Sequence, residues 1–364
     1  LLDDAAQAFP DQTYTIFSGA TQSFRQVQET ANRVANFLIT RGIRKGDRVA
    51  IFLPNIASYP AVYFGILKAG AVCVTCNPLY TASELNHQLN DSGATALFCM
   101  DHPQFYPTAA EAAHATAVHT IVICSVKSLL PPLKAAIGGL LGKIPKADRH
   151  EAGHLFFDEA VRRAGPTAPQ VAVDPEQDLA VIIYTGGTTG VPKGAALTHA
   201  NLVFDVMALD EWIRIPQASG GVSERLRHGG FHCFLGVMPL YHSFGMTIVM
   251  LYSCLTASRL VCIPDPRAGK PPFTEVLKAV TKYKATIMAA VPTIFVAFNN
   301  HPLRDKFDLS SIMGCGSGGA PMPVEVAKTF EAQTGSVIFE CYGLSETAPL
   351  ATGNPTNRET RKFG

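Results

Sequence analysis

Stacked α/β layers with predominantly parallel strands are the architecture predicted for this chain, and three observations carry the prediction. The 364 residues are 47% hydrophobic and only 16% charged, so a large interior has to be buried in one large domain or two smaller ones. Short apolar runs alternate with longer helical ones along most of the chain. A glycine- and threonine-rich turn, residues 184–194, falls between one apolar run and the next helical segment.

The alternation begins at residues 47–55, DRVAIFLPN, which read as a strand and loop. An apolar helical segment through Ala69 and a second strand at 71–77 follow. ELNHQLNDSG supplies the next helix, TALFCM the next strand, and 119–126 a further short apolar run. DLAVIIYTGG opens a second strand-to-loop unit, with LTHANLVFDVMALDEWI as the helix expected after Gly194. GVMPLYHSFGMTIVMLYS reads as strand, bend and buried helix; RLVCIP, FTEVLKAVTKY and ATIMAAV continue the order. SIMGCGSGGAPM, residues 323–334 and SVIFECYGLSET close it as strand, loop, helix, strand and loop. The subdomains expected from this order are 43–195 and 1–42 plus 196–364.

Residues 127–146, KSLLPPLKAAIGGLLGKIPK, interrupt the rhythm with a double proline, three glycines and four lysines. They read as a surface excursion or a short interfacial helix, a pattern compatible with peripheral membrane contact, although the glycines weaken helix preference. The apolar tract 231–258 contains His232, Pro239 and His242, which favours buried strand-turn-helix structure over a spanning helix.

Thirty Lys and Arg against 29 Asp and Glu give a formal charge of +1, so net charge offers no match to a nucleic-acid backbone. Nine cysteines, an odd number scattered along the chain, fit reduced buried thiols rather than a disulfide framework. Cys73 and Cys76 form one CxxC without a second metal-ligand pair, so structural thiols are expected there. The start, LLDDAAQAFP, lacks an initiator Met and the order of a signal peptide; a trimmed N-terminus and a cytoplasmic location, compatible with contact at the inner membrane face, are the expectation.

In YTGGTTGVPKG, Gly186, Gly187 and Gly190 permit tight backbone geometry, Thr185, Thr188 and Thr189 supply hydroxyls, and Lys193 adds a mobile positive charge. Such a set can surround polyphosphate oxygens. The segment ends in PKG, so it is not the usual Walker A loop. GLSET likewise fails the GxSxG pattern of a hydrolase nucleophile elbow, and Ser345 receives no nucleophilic role.

This run closely resembles the phosphate-binding signature of the acyl- and aryl-CoA synthetases, which are adenylate-forming enzymes. PLYHSFG at 239–245, GSGGAPM at 316–322 and YGLSET at 342–347 match further blocks of that family in order. The resemblance implies the large N-terminal α/β domain of an adenylate-forming enzyme, two packed subdomains in a layered αβαβα arrangement. It implies contacts of Thr185, Thr188, Thr189 and Lys193 with ATP phosphates. Tyr342 and Gly343 would lie near adenine, Thr347 near the α-phosphate, and Glu346 on magnesium, for which a hard carboxylate oxygen is suited. Gly318, Gly319, Ala320 and Pro321 would line adenine and the acyl pocket, where small side chains allow close approach. His242 would stand near the carboxylate substrate and the thiol route; by itself it reads equally as a structural histidine beside Tyr241 and Phe244.

On the same resemblance Lys193, Glu346 and Thr347 act on the reacting phosphates. A carboxylate would attack the ATP α-phosphorus to give acyl-AMP and pyrophosphate, and coenzyme A sulfur would then displace AMP. The GG form of the loop, with GSGGAPM and ECYGLSETAPL, looks most like medium- or long-chain fatty-acid CoA ligases; an aryl or short-chain acid, or a noncatalytic nucleotide-binding scaffold, are the alternatives. The family continues past YGLSET into a β-rich part with a ribose-binding Asp, a hinge and a mobile lid with a Lys. Gly364 precedes those elements, so the expectation is a truncated, catalytically impaired front portion of such a ligase.

Overall fold

The computed structural model describes residues 1–185, 192–214, 231–356 and 360–362. Its strands are β1 (Thr13–Phe17), β2 (Ala20–Ser23), β3 (Arg48–Phe52), β4 (Val72–Thr75), β5 (Ala94–Met100), β6 (Thr120–Cys124), β7 (Leu155–Phe156), β8 (Leu179–Thr185), β9 (Lys193–Thr198), β10 (Cys233–Gly236), β11 (Arg259–Cys262), β12 (Ile287–Ala290), β13 (Gly314–Ser317), β14 (Val337–Gly343) and β15 (Leu350–Gly353). Chain contacts form two compact units: residues 2–12 with 16–201, and residues 1 and 13–15 with 202–364.

In the first unit the strand order is β7-β6-β5-β3-β4-β8-β9, parallel throughout except for the antiparallel β8–β9 pair. The apolar runs at β3, β4, β5 and β6 are buried along nearly their whole length, as expected of parallel strands covered on both faces. Helix Phe24–Thr40 begins with a Ser23–Gln26 capping box and turns Val27, Ala31, Val34 and Leu38 inward. It packs closely on helix Ser58–Lys68: a Cβ on Gly65 would sit 2.5 Å from Val34 Cβ. That packing is why residues 16–42 join the strands that follow them here, whereas the sequence reading grouped 1–42 with 196–364. Helix Ala82–Ser92 has a second capping box, Thr81–Glu84, and ends on left-handed Gly93. Residues 127–146 contain a short turn, Lys127–Leu129, and helix Pro132–Leu140, none of whose residues is buried.

In the second unit β14-β13-β12-β10-β11 are parallel, with β15 antiparallel on the outer edge of β14 and the start of β1 beside β11. Helices Thr274–Tyr283, Pro292–Asn299 and Val324–Thr334 alternate with these strands. Phe295 and Phe330 meet edge to face at 5.1 Å in the interior between two of the helices. Of the strand, bend and buried helix expected from Gly236 onward, the strand lies earlier, as β10, Cys233–Gly236, and the bend and helix follow, the helix starting with a wide-turn segment, Phe244–Leu251.

The helix expected on LTHANLVFDVMALDEWI is present, but an unexpected strand, β9, precedes it and pairs Thr185 with Lys193 and Tyr184 with Gly194. Gly194 permits this pairing, since a Cβ there would lie 2.6 Å from the Ile182 side chain. The helix starts at His199, where Thr198 Oγ1 accepts from Asn201 N–H at 3.2 Å and Asn201 Oδ1 accepts from Thr198 N–H at 2.9 Å.

Candidate functional site

Parallel strands bring their C-terminal ends to one edge of a sheet, and ligand loops gather there. In the second unit the segments following β10, β12, β13 and β14 line a cleft of about 410 Å³. His242, Gly318, Gly319, Tyr342, Gly343 and Ser345 share it. Ala320, Pro321 and Glu346 are exposed and Thr347 is half-buried, and none of these four belongs to its lining.

The backbone explains the small residues. Gly319 has φ +80°, in the left-handed region, and a Cβ on Gly343 would come within 1.9 Å of the Pro349 carbonyl oxygen. The chain therefore folds back tightly after β14, and β15 pairs Tyr342 with Thr352. This extension past the parallel sheet leaves Tyr342 62% exposed, a free ring face at the cleft.

His242 presents one ring edge to the cleft. Its Nδ1 accepts the Phe244 N–H at 3.2 Å, which leaves the ring proton on Nε2. The ring is exposed at the cleft, and the desolvation it still meets there lowers its pKa, which favours the neutral form near pH 7. Thr347 is already engaged: its hydroxyl lies 2.6 Å from the Pro349 carbonyl and 3.0 Å from that of Leu344, and it accepts the Leu344 N–H at 3.1 Å. One hydroxyl proton cannot serve a phosphate as well until it leaves those carbonyls.

The remaining residues expected at a site belong to the first unit. Thr185, the last residue of β8, pairs with Lys193, the first of β9, and Thr185 Oγ1 donates to the Lys193 carbonyl at 3.4 Å. Lys193 is exposed. Gly186, Gly187, Thr188, Thr189 and Gly190 lie outside the described residues. Tyr184 anchors the hairpin by donating to Asp91 Oδ2 at 2.5 Å, and burial raises its pKa well above the ordinary phenol value.

Three features were not found by sequence reasoning. Glu340 Oε1 accepts the Met322 N–H at 2.6 Å and so ties the Gly318–Met322 turn to β14; an acidic residue inside an apolar strand was the available signal. Asp205, 5% exposed on helix His199–Arg214, accepts the Leu350 N–H at 3.4 Å, and burial pushes its carboxyl up to about 7. Beside the cleft lies a narrow apolar crevice of about 40 Å³, walled by Leu209, Ile213, Phe234, Ile287, Ala289, Gly314, Gly316 and Phe339 among others. Phe244, Ile248, Cys341 and Leu350 line both spaces, so a single wall separates them. No sequence pattern marks this crevice, because its walls come from helix His199–Arg214, the helix from Phe244 and strands β10, β12, β13, β14 and β15, far apart in the chain. All nine cysteines are free thiols, and burial pushes Cys73 and Cys76 well above the usual thiol range.

Comparison with known proteins agrees with this geometry. The long-chain-fatty-acid–CoA ligase of Bacillus subtilis (strain 168) is 36% identical over 359 residues, covering 97% of this chain and 60% of that protein. The enzyme of the same name from Salmonella typhimurium is 34% identical over 364 residues, covering 98% of this chain and 61% of its own length. The chain thus spans about 60% of the length of these curated relatives. Among solved structures, an anthranilate CoA ligase in complex with anthranoyl-AMP superposes with TM-score 0.81 at 22% identity, over 100% of this chain and 63% of that one. A long-chain-fatty-acid-CoA ligase from Archaeoglobus fulgidus superposes with TM-score 0.76 at 24% identity, over 98% of this chain and 66% of the other. With residues 2–364 matching the AMP-binding enzyme family and the motif blocks falling at strand ends, the chain belongs to that family as its large α/β domain.

Proposed function

We propose that the whole protein is an acid–thiol ligase that activates a medium- or long-chain fatty acid through acyl-AMP and passes the acyl group to coenzyme A. The apolar crevice adjoining the cleft is the observation that carries the fatty-acid reading: it offers hydrocarbon walls one residue layer from His242 and Tyr342. The names of the two curated relatives described above point the same way.

In this reading Lys193 and Thr185, with Thr188 and Thr189, bind phosphate oxygens of ATP; Tyr342, Gly318 and Gly319 are the adenine-side residues. His242 Nε2–H orients the carboxylate, whose own oxygen is the nucleophile at the α-phosphorus. Thr347 turns its hydroxyl from the Pro349 carbonyl to a phosphate oxygen. Among the described residues no three His, Cys, Asp or Glu side chains gather as a metal site. A single exposed carboxylate, Glu346, still fits magnesium, which keeps water and phosphate oxygens as most of its ligands. When bound, magnesium supplies charge neutralisation for the departing pyrophosphate. A fatty acid partitions into lipid, and no described helix is long and apolar enough to cross a membrane.

The test is a chain-length series on the full-length protein with matched soluble substrates. Each methylene that finds apolar wall contributes about 0.8 kcal/mol, so kcat/KM should climb from acetate to longer acids and then level where the crevice ends. A maximum at acetate, or an aryl acid preferred over every fatty acid, overturns the substrate assignment.

A further inference from the structure

Surface helices ordinarily turn their large apolar side chains toward the protein. Helix Pro132–Leu140 does the reverse. Leu133 is 72% exposed, Ile137 50%, Leu140 88% and Leu141 58%. At helical spacing these four positions fall on one face, within a sector of about 100°. The half-buried positions are small: Ala135 and Gly138. A Cβ on Gly138 would stand 3.0 Å from the Ile144 side chain, so the glycine lets the helix lie close to the segment that follows it. Lys134 Nζ donates to the Ser18 carbonyl at 2.7 Å and fixes the helix to its own unit with the apolar face outward.

The charges within the segment that carries this face have one sign. Residues 126–147 contain Lys127, Lys134, Lys143 and Lys146 and no acidic residue, in a chain whose formal charge is only +1. Lys127, Lys143 and Lys146 are exposed. A second copy of the chain laid on this face with two-fold symmetry would set lysines against lysines. An anionic lipid surface neutralises them and buries the leucines in one step. The nine-residue helix is about 14 Å long, too short to span a bilayer and suited to lie in its interface.

We propose that helix Pro132–Leu140, with its flanking lysines, is a docking element for a bilayer carrying anionic headgroups. The proposal rests on the exposed helix; the fatty-acid reading supplies only its biological sense. Co-sedimentation of the chain with phosphatidylcholine vesicles, with and without phosphatidylglycerol, tests it in the absence of ATP and acid, so it can fail or stand independently of the ligase reading. Binding is expected to the anionic vesicles, weakening with salt. The variants Leu133→Ser/Leu140→Ser and Lys143→Glu/Lys146→Glu should each reduce partitioning about tenfold or more while leaving the melting temperature unchanged. The lysine pair, fully on the surface, keeps the test decisive if the leucine pair folds poorly. Wild-type chain that ignores anionic vesicles overturns the proposal. So does a concentration-dependent dimer, seen by sedimentation, that the leucine variant abolishes while vesicle binding stays unchanged.

Discussion

Asp205 shows how much a single buried group can carry without announcing itself in the sequence. Among the described residues its hydrogen-bond donor is the Leu350 N–H, and desolvation raises its pKa to about 7 against an ordinary value of 3.8. The folded group therefore binds its proton more tightly than the unfolded one. Its contribution to stability is whole below the unfolded value, declines as pH rises toward about 7, and stays at the reduced level above that. Asp205→Asn keeps an oxygen for Leu350 N–H and has no charge to bury. Its melting temperature should exceed wild type by roughly 2–4 °C at pH 8 and by less at pH 5. A gap equal at both pH values would remove desolvation as the cause. The same scale divides what was legible: Gly343 and Gly319 stood out as glycines in a motif, whereas Asp205 and Glu340 matter through partners that folding brings to them.

At the scale of elements, the apolar runs located strands β3 to β6, β11, β12 and β14 well, since each is short and bounded by turn residues. The β8–β9 hairpin was missed because residues 193–198, KGAALT, have weak strand propensity and are held by pairing rather than by their own preference. Long-range pairing also positions the turn after β13. Four small residues, Gly318, Gly319, Ala320 and Pro321, have no side chains with which to fix themselves, and the Glu340–Met322 bond, to a charged acceptor, supplies that constraint. Glu340→Ala should lower nucleotide affinity about tenfold, since a bond of this kind contributes roughly 1.5–3 kcal/mol. Glu340→Gln, whose amide oxygen can still accept, should recover most of it. Calorimetry on both variants separates this positioning role from general unfolding: if the glutamine variant binds no better than the alanine one, the turn is held by something else.

For the molecule as a whole, composition predicted a large interior and the ordered blocks predicted its family, but neither describes the space left inside. The crevice wall draws on helix His199–Arg214, on β10, β12, β13 and β14 and on the helix from Phe244, so its depth depends on the summed packing of segments more than a hundred residues apart. Gly316 is the informative position in that wall. A Cβ there would meet Phe339 at 3.6 Å, an ordinary contact, so a modest side chain can be added without driving the sheet apart. Gly316→Val would then fill the floor of a crevice of about 40 Å³ while leaving the cleft with His242 and Tyr342 as it is. In the full-length protein this variant should cut kcat/KM for the longest acids by about tenfold or more, as hydrocarbon loses its place, and leave acetate within about twofold of wild type. A uniform loss across all chain lengths would place the acyl chain elsewhere, because only an occupant of the crevice can make the penalty grow with length.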